Sequence, residues 1–235
     1  MSALFDNDAA KLLSATLTGT NIAVQTNNRL ITFPVKFTSI GAFDVVCNLG
    51  DNANIRQSIN VYTGGSEAFF TPDGFTSEWF AEIAPEPSTG VWMLKGCYMP
   101  ANANGVSKTI KHYQDAVSAT MSLNGTADTG NMMALTLGNA SFPADCRMCD
   151  FAIWLVANET AADSIVSALY NNGNFRRANA IPWVARPTYY WPLLSDAGAL
   201  IGSPGLSNSG SVTFSADSPR FKPPNQRLLL GVGGP

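Results

Sequence analysis

The 235-residue sequence predicts an all-β protein, two antiparallel sheets packed face to face with one short helix set against them. Three observations carry this reading. Apolar and polar residues alternate through many short segments, the period-2 signature of strands with one buried face. Gly, Pro, Asn and Asp punctuate the chain between those segments, and 20 glycines and 14 prolines supply the turns. A single stretch after Ala157 abandons alternation for helical spacing.

In order along the chain, residues 1–16 read as an N-terminal segment of the domain. In "RLITFPVKF", Ile31, Phe33, Val35 and Phe37 alternate with Leu30, Thr32, Pro34 and Lys36. Pro34 cannot donate to a ladder, which predicts an edge position or a bulge. "FDVVCNLGD" is a strand ending at Gly50, and "SINVYTGGSEAFF" predicts two strands about a Gly64-Gly65 turn. "TPDGF" and "APEPSTG" are loops, and the apolar run in "GVWMLKGCYMP" predicts a buried strand. "DAVSATMSLNGTADTG" predicts a hairpin about Asn124-Gly125, followed by the strand "MMALTLGNA" ending at Gly138.

Phe151 to Val156 show no alternation, so both faces of that strand are expected to be covered. The helix follows over Thr160 to Tyr170: Thr160 is the expected cap, Asp163 lies three residues on, and Gly173 is placed to stop it. Ile165, Val166, Ala168 and Leu169 form an apolar stripe, so the helix is expected to lie as a lid on the sandwich. "PTYYWPLL" is an aromatic strand, and Val212 to Phe214 a short one within a Gly, Ser and Pro loop. Residues 1–221 are thus expected to form one domain, and residues 222–235 an extended arm.

The order of these pieces resembles the laminin-G-like, or concanavalin A-like, jelly-roll family. The text that carries it is "SATMSLNGT", "MALTLGNA", "CRMCDFAIW", "TAADSIVSALYNNG" and "YYWPLL". It is clearest over Val91 to Leu194. The family's usual Gly before the hydrophobic strand is replaced near Cys146, and Asp163 stands where Glu is common. The resemblance implies a two-sheet antiparallel jelly roll with loops at one rim that bind calcium or sugars.

Composition excludes some functions. Charged residues are 13% of the chain with a net charge of -3, and no basic cluster exceeds Arg176-Arg177, so no nucleic-acid footprint exists. Asp6 and Asp8 stand where a signal peptide needs an apolar run, and no segment reads as a membrane span. Synthesis in a cytoplasm is expected. Cys47, Cys97, Cys146 and Cys149 lack a second CxxC and have one histidine, His112, for company. They are expected to be buried free thiols rather than a zinc site.

Candidate sites are few. Glu78 and Glu82 share the spacing of the catalytic glutamates of related β-glucanases, but Phe80 replaces the acid between them, so no catalytic residue and no enzyme activity are expected. His112 has Asp115 nearby but no nucleophile elbow, and is expected to be structural. Asp51, Asn52 and Asn54, with Asp73, have the oxygen ligands that calcium takes, although Asx residues in turns commonly bond their own backbone. Trp79, Trp183 and Tyr189 are candidates to stack on sugar rings, most aromatics here being expected in the core. Leu228, Leu229 and Leu230 put three consecutive large apolar side chains in the arm, expected to bury themselves on a partner subunit.

A low-charge jelly roll rich in Asn, Ser and Ala with a Pro-punctuated tail looks like a bacteriophage virion component such as a head decoration protein, fibre or tail protein. The expected function is therefore a non-enzymatic structural or assembly role in a virion, with other virion subunits as partners and no cofactor. The alternative is a lectin-like adhesin that binds host surface glycans.

Overall fold

The computed structural model describes residues 2–17, 22–23, 27–50, 56–71, 79–101, 108–123, 131–132, 134–181, 186–194 and 205–221. The first strands are β1 (Ser2–Asp6), β2 (Leu12–Thr16), β3 (Ile22–Ala23), β4 (Asn28–Ser39), β5 (Asp44–Gly50), β6 (Arg56–Tyr62), β7 (Gly65–Thr71) and β8 (Trp79–Ile83). Next come β9 (Met93–Met99), β10 (Lys108–Gln114), β11 (Val117–Leu123), β12 (Asn131–Met132), β13 (Ala134–Leu137), β14 (Asp145–Met148) and β15 (Phe151–Val156). Helix α1 (Glu159–Tyr170) follows, then β16 (Tyr189–Trp191), β17 (Ser207–Ser209) and β18 (Thr213–Ser215).

One sheet has nine strands along the path β11-β10-β9-β4-β14-β1-β18, with β15 and β16 joined beside β4; the other has the order β17-β2-β13-β5-β6-β7-β8. The short pair β12-β3 stands apart, and every pairing is antiparallel. Alternating residues of both sheets meet in one core, with Phe5, Phe33, Phe37, Leu49, Ile59 and Trp191 among its members. Each such side chain contributes roughly 1.5–3 kcal/mol by leaving water.

The unalternating run in β15 has its reason here as far as Trp154, whereas Leu155, expected to be covered, is 38% exposed where the strand runs out past the core. Phe151 and Ile153 point into the core between the sheets, whereas Ala152 and Trp154 belong to a second core on the sheet's other face. That second core is closed by Ile165, Val166 and Leu169 of α1, the lid the sequence called for. Trp154 satisfies its indole by donating from Nε1 to Thr32 Oγ1 at 2.9 Å.

Several expectations need correction. The helix cap is Asn158, extended at φ -165°, whose Oδ1 accepts from Ala161 N at 2.9 Å; Thr160 already lies inside the first turn. Asn158→Ala is expected to cost about 1 kcal/mol in urea denaturation, and Asn158→Ser much less. At the other end Asn171, at φ 45°, takes the left-handed position two residues before Gly173. Pro34 is interior to the sheet, paired with Leu94 of β9. Its carbonyl accepts from Cys149 N, so its ring nitrogen faces the joint between β14 and β15, where no ladder bond is lost.

The turn between β6 and β7 is Thr63-Gly64, since Tyr62 pairs with Gly65. Gly64 is at φ 112°, and Gly65 enters the strand, where a Cβ would stand 3.0 Å from the Ile83 carbonyl. The hairpin partner of β11 is β10, through an Asp115-Ala116 turn with Asp115 at φ 54°, and β13 goes to the opposite sheet. Asn124-Gly125 lies outside the described residues. All four cysteines are free and buried, and burial raises each thiol above its ordinary range.

Candidate functional site

Between α1 and the β10-β11 hairpin lies a groove of about 340 Å³, its walls including Lys111, Tyr113, Asp163, Ser167 and Tyr170. Sequence periodicity places these groups. Lys111 and Tyr113 are two apart on β10 and share a face, while Asp163, Ser167 and Tyr170 follow i, i+4, i+7 along α1. The hairpin turn is pinned to β9: Leu94 N donates to Asp115 Oδ1 at 2.7 Å, and Asp115 N donates to the Leu94 carbonyl at 2.8 Å.

Across the groove Lys111 Nζ stands 2.7 Å from Asp163 Oδ1 and 3.1 Å from Glu159 Oε1. The Tyr113 hydroxyl donates to the same Asp163 oxygen at 2.8 Å. Burial by itself would lower the Lys111 ammonium, but its bonds to Asp163 and Glu159 outweigh that and raise it. Burial, then the adjacent Asp163 carboxylate, pushes the Tyr113 phenol far up, so it remains a donor. Asp115 is raised by burial against the pull of the Leu94 amide and Lys95. The groove thus combines fixed carboxylates, one ammonium, hydroxyls and an aromatic wall, with the Tyr170 ring held edge-to-face on Phe175 at 6.1 Å. These groups exchange hydrogen bonds with polyhydroxylated molecules.

The residues expected to bind ligands do not meet there. Tyr189 is 1% exposed in the core between the sheets, its ring stacked on Trp191 at 5.8 Å, so it offers no face to a sugar. The side chains of Trp79, Trp183, Asp51, Asn52, Asp73, Leu228, Leu229 and Leu230 lie outside the described residues, as does Glu78. Glu82 is exposed on β8, directly opposite Glu67 of β7. Among the described residues no group of three or more His, Cys, Asp or Glu assembles a metal site.

His112 is a core residue. It is fully buried, neither ring nitrogen makes a well-formed hydrogen bond, and burial followed by the charge of Lys95 holds it neutral. Sequence reasoning missed the groove, although one signal was present: the polar and aromatic i, i+4, i+7 row beside the helix's apolar stripe.

No protein-family model matches the sequence, and no curated protein matches it. Solved structures do resemble the fold. A native heptameric SAP-like pentraxin from Limulus polyphemus superposes with a TM-score of 0.54 at 13% identity, over 90% of this chain and 94% of that one. A botulinum neurotoxin type C chain, whose route into cells is dependent upon interaction with two ganglioside molecules, gives a TM-score of 0.50 at 12% identity. That match covers 72% of this chain, which spans 41% of the neurotoxin chain. Domains LG4-5 of the mouse laminin α1 chain give a TM-score of 0.47 at 10% identity, over 65% of this chain and 40% of that one. The chain is a jelly-roll sandwich of the class to which the pentraxin belongs.

Proposed function

We propose that this chain is a carbohydrate-binding module that holds a saccharide in the groove between α1 and the β10-β11 hairpin without hydrolysing it. The observation that carries the reading is the groove itself: about 340 Å³, within the range of small-ligand sites, with convergent hydroxyl and carboxylate groups beside Tyr170. The neurotoxin of similar fold, which interacts with gangliosides, lends the reading support. Binding is tested on a glycan array with the wild type and Ser167→Trp, a substitution on the exposed side of α1 that fills the groove. Wild-type binding is expected to fall at least about tenfold in the variant, with no reducing ends released from the bound glycan. A blank array for the wild type would overturn the reading.

A structural role in a larger assembly, such as a bacteriophage virion, is the second reading. The low charge of the chain favours it, and so does an aromatic cluster at one end of the sandwich. Phe43 and Phe142 are 37% and 47% exposed and meet edge-to-face at 5.4 Å, and Phe43 stacks on Tyr62 at 6.4 Å. Here Leu228, Leu229 and Leu230 would add a second anchor. Sedimentation of a monomer at every concentration, with or without residues 226–235, counts against self-assembly.

A further inference from the structure

The electrostatics of the groove say which saccharides it takes, an inference that rests on the carbohydrate-binding reading. Among the described residues, Glu159, Asp163 and Asp115 bring three carboxylates to the groove and its rim, against the single ammonium of Lys111. That ammonium is already held by two of them, at 2.7 and 3.1 Å, so it has little left to offer an anion. Lys95, buried behind Asp115, offsets part of the negative charge, but its donors are turned to Ser66 Oγ and Gln114 Oε1.

The helix adds to the same sign. Ser167, Tyr170 and Asn172 line the groove at the C-terminal end of α1, where the backbone dipole is negative, and the last turn carries no basic residue to cancel it. An acidic sugar entering here would leave water to face carboxylates and carbonyls with no unsatisfied cation lining the groove among the described residues. A hydroxyl or an ammonium group loses nothing of the kind, since both donate to those acceptors.

We propose that the groove selects uncharged or amine-bearing saccharides and rejects sialylated and sulfated ones. Its polar groups are acceptor-rich, so the recognised ligand presents hydroxyl or amino donors toward Asp163 and the end of α1. Glu159, whose side chain is 39% exposed at the rim, acts on selectivity through charge and not through contact with the sugar core.

The test uses the full chain on an array of matched sets, each neutral oligosaccharide printed beside its sialylated, its sulfated and its glucosamine-containing form. At low salt the neutral and amine-bearing members are expected to bind about tenfold or more tightly than their acidic counterparts. The gap is expected to narrow at about 0.5 M salt, where the screening length falls to a few ångström. Glu159→Lys is expected to close most of it, read as the ratio of neutral to acidic binding by the same variant, and Ser167→Trp to abolish every signal. Acidic members that bind the wild type as well as their neutral partners would overturn the selectivity and leave the carbohydrate reading standing. Neutral binding that survives Ser167→Trp moves the site elsewhere and overturns the proposal, and an array blank for every member overturns both.

Discussion

Asp150→Ala is expected to destabilise the protein by about 4 kcal/mol, a Tm loss on the order of 10 °C for a chain of this size. Asp150 occupies the kink between β14 and β15, in the left-handed region at φ 54°, and is 2% exposed. Its carboxylate accepts from Ala178 N at 2.7 Å and from the Tyr190 hydroxyl, with the Arg177 guanidinium 3.6 Å away. One side chain therefore ties the two strands to the segment after α1 and to β16. Alanine would orphan a buried hydroxyl and a buried amide, at about 1–3 kcal/mol each, and would add backbone strain of about 1 kcal/mol. Asn keeps the acceptor and tolerates the conformation, so Asp150→Asn is expected to retain most of the stability.

The same group has a pH signature. Burial holds its carboxyl up at about 6, against the lowering effect of Tyr190 and Ala178. Between its ordinary 3.8 and about 6 the folded state binds the proton more readily than the unfolded chain. Its contribution is then full below the lower value and declines as pH rises through about 6. Thermal melts of the wild type, Asp150→Ala and Asp150→Asn at pH 5 and pH 7 check both points. An alanine variant within about 1 kcal/mol of the wild type would show that the anchor is dispensable.

Lys95→Met is expected to act in the opposite direction. Lys95 is fully buried on β9, donating to Ser66 Oγ at 2.6 Å and to Gln114 Oε1 at 2.5 Å, and burial lowers its ammonium to about 7 despite the Asp115 carboxylate. A depressed base is a cost to folding when protonated: the folded state binds fewer protons than the unfolded chain between about 7 and the ordinary 10.5. The penalty is therefore full below about pH 7 and is released as pH rises through that window. At about 1.4 kcal/mol per unit it is on the order of 5 kcal/mol, from which the two bonds to Ser66 and Gln114 recover part. Methionine removes the penalty and leaves those two partners unbonded, for a net gain of about 1–3 kcal/mol at pH 6. The four buried thiols pull the other way above their ordinary range, so the diagnostic quantity is the difference between variant and wild type. Urea denaturation should show that difference shrinking, then reversing, from pH 7 toward pH 10. A difference independent of pH would mean that Lys95 folds without losing its proton affinity.

Several elements were legible from residue spacing. The alternation in residues 30–37 and the stripe Ile165, Val166 and Leu169 each named a face that is buried, although Leu30 and Thr32 on the other face of β4 are buried as well, and the unbroken run from Phe151 is buried only as far as Trp154. Burial preference is a local property of a side chain against water, so periodicity records it directly. Even Asn158 fits this rule in hindsight, since an Asx residue ahead of a helix can bond its first turn as readily as Thr160.

Which neighbour covers each face was not written locally. That β4 divides one edge between β14 and β15, so that the missing donor of Pro34 faces the joint between them, depends on strands more than a hundred residues away in sequence. The groove has the same origin. Its helix row Asp163, Ser167 and Tyr170 and its strand pair Lys111 and Tyr113 are each visible in the sequence, but they form a site only because β9 and β10 lie beneath α1. Tyr189 is the converse, an aromatic suited to stacking on a sugar that the packing of two sheets sends inward. The sequence by itself determined the secondary structure of its clearest segments and the apolar faces of β4 and α1 that leave water. The tertiary structure alone decided which polar residues face one another, because strand order is set by the summed burial of the two cores and not by any single segment.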